Sequence, residues 1–114
     1  MLSRLGCWML GGGLLLAASS ALAVDPSIKC ESDKLRLAAK YTACRLTAEA
    51  DAAREFTTPV FDKCENSYLA GWAKAEARAR AKGAPCWTEG DASVVKGDID
   101  AHTGSLAESL AGGK

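Results

Sequence analysis

Histidine is nearly absent from this chain: His102 stands alone in 114 residues. Any Ser-His or Cys-His catalytic pair would have to use it. It falls on the apolar stripe of a glycine-weakened helical segment, where a partly buried packing role is expected rather than that of a base. No C-x-x-C occurs, which argues against thiol redox chemistry, and no C-x-x-C-H, which argues against haem attachment. Structural zinc sites also favour close cysteine pairs, so a four-cysteine zinc site is not expected. Asp98 and Asp100 faintly suggest a calcium loop, but the central glycine and the closing glutamate are missing. No glycine-rich phosphate loop follows a strand, because Gly11–Gly13 sit inside an apolar leader. No enzyme activity and no cofactor are expected.

Excess charge of one sign is also missing. Residues 24–114 carry 13 basic and 14 acidic side chains, which disfavours nucleic acid as a partner. The charge is uneven, however. Residues 29–82 have 11 basic against 8 acidic groups, whereas 83–114 have Lys96 and Lys114 against five carboxylates. The plain reading is an acidic tail folded back on the basic part, and the sharper one is a basic face for an acidic partner.

Long apolar runs occur only at the start. Arg4 precedes Leu5–Leu16, and small residues close the segment at Ala17–Ala23. A charged start, an apolar centre and an A-x-A ending are the three parts of a secretory signal peptide. Ala21 and Ala23 supply the small side chains at −3 and −1, so cleavage is expected after Ala23. Three glycines and two serines dilute the segment too far for a membrane span, which needs about 20 strongly apolar residues. The working protein is then residues 24–114, one small domain exported to the periplasm or beyond.

Cys7 leaves with the leader. Cys30, Cys44, Cys64 and Cys86 remain, and an even count in a short exported domain reads as two disulfides. Alanine, leucine and charged residues dominate 27–82, which favours helix. A first helix is expected over about 27–54, with Asp25 as its cap and Pro26 in its first turn. Cys30, Leu37, Tyr41, Cys44 and Ala48 share one face. Lys34 interrupts that stripe near its exposed end. Thr57-Thr58-Pro59 breaks the helix, and Thr58 and Pro59 are suited to start the next one over about 59–82. Phe61, Cys64, Tyr68, Trp72, Ala75 and Ala79 form its stripe, and Gly83-Ala84-Pro85 ends it. A third helix is expected over about 89–110, with Thr88 and Asp91 resembling a capping box. Gly97 and Gly104 make it the least stable element, and Ala111–Lys114 should fray.

Helices joined by so short a turn pack antiparallel. Cys30 and Cys44 are about 21 Å apart along a straight helix, beyond the roughly 7 Å that a disulfide tolerates between Cα atoms. Crossed pairing fails because Cys64 lies near the turn and Cys30 at the far end. The nested pairs Cys44–Cys64 and Cys30–Cys86 remain, with the Gly83–Pro85 break turning Cys86 back. The fold class is therefore all-α: an antiparallel hairpin stapled by two disulfides, with a third C-terminal helix.

In architecture this resembles the stapled hairpins of twin-cysteine mitochondrial proteins and plant hairpin peptides. The cysteine gaps here, 13, 19 and 21 residues, depart from the short spacings of those families, so their functions do not carry over. The run Cys30, Lys34-Leu35, Ala38-Ala39-Lys40-Tyr41, Cys44-Arg45-Leu46 and Ala48-Glu49, continued by Lys63-Cys64, Trp72, Ala75-Glu76, Cys86 and Gly90-Asp91, resembles small exported four-cysteine helical proteins of bacteria. It covers most of 24–114 and implies a recurring exported module.

Lys74, Arg78, Arg80 and Lys82 make the end of the second helix basic, and Trp87 follows the outer cysteine. Helix-dipole complementarity accounts for the charges at their simplest; a contact surface is the sharper reading. The expected role is a non-enzymatic exported module that binds a protein or envelope partner or acts as a spacer. The alternative is a membrane-active or antagonistic peptide-like protein using the basic helix end on a membrane surface.

Overall fold

The computed structural model describes residues 24–111. The expected leader, with Ala21 and Ala23, and the last three residues lie outside that range. Three helices follow in order: α1 (Pro26–Glu55), α2 (Asp62–Ala81) and α3 (Ala92–Leu110). The fold is all-α, and α1 and α2 form the hairpin.

α1 begins as its sequence dictates. The Asp25 carboxylate accepts from Ser27 N at 2.8 Å, and Pro26 occupies the first turn. At its end Phe56 takes the left-handed conformation, φ 55°, and the Thr57 N–H closes on Ala52 O. That position normally favours glycine. α2 ends in a complete glycine cap: Gly83 has φ 76°, its N–H donates to Arg80 O, and Ala84 N–H donates to Ala79 O.

Two starts differ from expectation. α2 begins at Asp62, not near Pro59, and Phe61 caps it without a side-chain bond. Thr58 and Pro59 stay in the extended turn. α3 begins at Ala92, not near Glu89. Thr88 Oγ1 donates to Asp91 Oδ2 instead of capping a backbone N–H, because Asp91 is engaged in the core.

Both nested disulfides are present. Cys44–Cys64 brings Cα atoms to 5.7 Å and Cys30–Cys86 to 5.5 Å. Ser27 Oγ donates to the carbonyls of Ala84 and Pro85 and holds the returning segment against the start of α1. Two small cores result. Cys30, Ala75, Ala79 and Cys86 pack at the outer staple. Tyr41, Cys64, Tyr68 and Trp72 pack near the inner one, with Val95 and Ile99 of α3 against them. Two further corrections concern side chains. Lys34 is 3 % exposed and lies inside the fold, because two carboxylates meet it there. His102 is exposed and Thr103 is the buried residue of α3, because the face of α3 toward α1 runs through Ile99 and Thr103, and His102 lies about 100° to one side of it.

Candidate interaction site

The groups that resemble active-site chemistry are locked into the frame. Lys34 Nζ lies 2.9 Å from Glu76 Oε2 and 3.0 Å from Asp91 Oδ1, donates to Thr88 O, and sits over the Trp72 ring. Asp91 also accepts from Trp72 Nε1 and Thr88 Oγ1. Glu76 accepts from the Gly90 N–H. Burial alone would raise the Asp91 carboxyl and lower the Lys34 ammonium. The hydrogen bonds from Thr88, Lys34 and Trp72 outweigh burial for Asp91 and hold it well below the carboxylate range. The bonds to Glu76 and Asp91 do the same for Lys34 and raise it.

A second node ties α3 to α1. Arg45 is 7 % exposed and donates through Nε to Thr103 Oγ1 at 2.8 Å. Its Nη1 lies 3.2 Å from Asp100 Oδ1, and its guanidinium stacks 3.7 Å from the Phe61 ring centre. The Tyr41 hydroxyl donates to Asp100, and Lys96 bridges Asp100 and Glu65. Among the described residues no buried side-chain polar atom lacks a partner. The acidic tail thus folds back on the basic part: Asp91 on Lys34, Asp100 on Arg45, and Glu89 on Arg80.

No protein-family model, curated protein or solved structure matches the chain. Function must be read from the chemistry left exposed.

The five contact residues expected from sequence separate into three places. Arg80 is held by Glu89 at 3.2 Å. Trp87, 65 % exposed, lies on the outer side of α1 with Ile28, Leu35 and Ala39 around a shallow hollow of about 430 Å³. Lys74, Arg78 and Lys82 line the α1–α2 groove, where they meet Lys29, Arg36 and Lys40 of α1. The α1 side of that groove was missed in the sequence. Its signal was the four-residue spacing of Arg36 and Lys40, which puts both on one side of the half-buried Leu37. A further apolar hollow of about 500 Å³ opens near the hairpin turn between Leu46, Ala50, Ala53, Pro59, Leu106 and Leu110.

The four cysteines of the described residues are all joined, so none offers a free thiol. Among those residues no cluster of three or more potential metal ligands occurs, and no helix is long and apolar enough to cross a membrane. Two disulfides in so small a helical chain fit an oxidising compartment.

Proposed function

We propose that this chain is an exported, non-enzymatic binding module. One observation carries the reading. The buried ionisable groups are tied to one another, whereas an aromatic patch and a row of cations stay exposed on a doubly stapled frame. Rigid frames favour binding because little entropy is lost on association. Trp87 with Ile28 and Leu35 has the make-up of an interface anchor. The leader at residues 1–23 and the disulfides support the periplasm or the medium as its place of work.

The membrane-surface alternative draws on the same cations. It is weakened by Arg80, which is held by Glu89, and by the concave placement of Lys74, Arg78 and Lys82. Dye leakage from anionic vesicles, lost at high salt, would support it instead.

Site-directed photo-crosslinking in the exporting cell tests the reading. A crosslinker at residue 87 or 78 should give a discrete protein adduct, and one at the exposed Asp51 position should give none. No adduct from any exposed position, or equal adducts from all three, contradicts a specific binding module.

A further inference from the structure

The face of the hairpin turned away from α3 carries a continuous groove. Three hollows run into one another along it. The first two share Asp33, Ala75 and Arg78, and the second and third share Leu37 and Lys40. No lining residue comes from α3. From Lys29 to Cys44 the groove follows α1 for about 22 Å, four turns of helix. Its floor is apolar and shallow. A Cβ added at Gly71 would meet Leu37 Cδ2 at 2.6 Å, so the helices approach closely there.

Its rims are basic. Lys29, Arg36 and Lys40 stand on α1, and Lys74, Arg78 and Lys82 on α2. Asp33 is the one carboxylate lining it, and it is shared between Lys29 and Arg36. Among the described residues Lys40, Lys74, Arg78 and Lys82 form no ion pair, whereas Lys34, Arg45, Arg80 and Lys96 each have a carboxylate within 3.2 Å. Residues 24–114 are slightly acidic as a whole, so a row of unmatched cations on one face does not follow from composition.

We propose that this groove docks an acidic amphipathic helix of a partner protein. The inference rests on the binding-module reading and names the partner's chemistry. Arg36 and Lys40, and likewise Lys74, Arg78 and Lys82, step along their helices at four-residue intervals, about 6 Å each. Carboxylates at i and i+4 of an opposing helix step at the same rise. The apolar floor between the two rows takes the apolar stripe of such a helix. The opposite face shows the same mode inside the chain: α3 lays Val95 and Ile99 on Tyr41, Tyr68 and Trp72, with Asp100 on Arg45 and the preceding Asp91 on Lys34. A helix in the groove would complete a four-helix arrangement. A concave channel fits a rod of this kind better than a flat lipid surface.

Fluorescence anisotropy with the oxidised protein tests this. The probe is a labelled, end-blocked 18-residue helix with leucine and alanine on one face and glutamate at i, i+4 on both flanks. Saturable binding is expected, at least tenfold weaker for the same peptide with every glutamate replaced by glutamine. It should weaken similarly in Lys74→Glu/Arg78→Glu, whose circular dichroism and melting should match the parent protein, and fall in 0.5 M salt. His102→Ala, exposed on α3 outside the groove, should bind as the parent does. Unchanged binding by Lys74→Glu/Arg78→Glu, or equal binding of the glutamine peptide, overturns the groove. So does sedimentation with phosphatidylglycerol vesicles without peptide binding, which would favour a membrane surface. Loss of peptide binding in His102→Ala alone overturns the groove but leaves the binding-module reading standing. Failure of both peptide and vesicles overturns the groove and leaves that reading to the crosslinking test.

Discussion

Lys34 shows what a single residue can hide. On a helical wheel it interrupts an apolar stripe, and a lysine there reads as a solvated edge. Its partners Glu76 and Asp91 lie 42 and 57 residues away in sequence, and no local pattern joins them to it. Arg45 and Asp100 were illegible for the same reason. Removing one member of a buried charge cluster leaves the others uncompensated. Lys34→Met should therefore destabilise the fold by roughly 3–5 kcal/mol, read from urea unfolding. The pH dependence follows from the same groups. Asp91 and Asp100 have folded pKa values below their unfolded ones, near 4. Their contribution is complete well above pH 4 and is lost as pH falls through and below that value. Lys34 and Tyr68 are raised, Tyr68 to about 12, chiefly by burial of its hydroxyl. Their contribution is complete below about pH 10 and is lost as pH rises above it. Melting temperature against pH should show a plateau between about 5 and 9 with a fall on each side, and Asp91→Asn should flatten the acid limb. At Phe56 the backbone is left-handed and the ring is 95 % exposed. Phe56→Gly should stabilise by about 0.5–1 kcal/mol in thermal melts, since little packing is lost and the backbone strain is relieved.

The three elements were readable from periodicity, and their ends less so. Asp25-Pro26 and Gly83 worked because each carries its own local geometry. Thr58-Pro59 and Thr88–Asp91 misled because tertiary demands prevailed. Arg45 takes the Phe61 ring beside the start of α2, and the core takes the Asp91 carboxylate beside the start of α3. α3 is the element with most room for improvement. A Cβ at Gly97 or Gly104 would meet nothing within 4 Å. Gly97→Ala and Gly104→Ala should each stabilise by up to about 1 kcal/mol, with slower amide exchange confined mainly to α3. A loss of stability in either variant would mean that α3 packs differently there.

For the whole molecule the staples decide. Among the described residues nine apolar side chains are buried, and six of them are alanine or cysteine, so a thin core needs cross-links. The nested pairing was legible because helix rise and disulfide reach exclude the alternatives. The groove was only half legible, because it joins cations from two helices that only the hairpin brings side by side. In the loop-entropy account the outer pair, spanning 56 residues, contributes about 4 kcal/mol and the inner pair, spanning 20, about 3 kcal/mol. Serine replacement of Cys30 and Cys86 should therefore lower the melting temperature more than replacement of Cys44 and Cys64. The reverse order would place the stability in the hairpin turn instead of at its open end.

The most direct test is the intact mass of the protein recovered from an exporting cell and alkylated without reduction. The mass of residues 24–114 less four hydrogens, with no alkyl group added, is the expected result, and proteolytic fragments should join Cys30 to Cys86 and Cys44 to Cys64. A chain that retains its first 23 residues, or one that takes up alkyl groups at these cysteines, would contradict an exported, doubly stapled module.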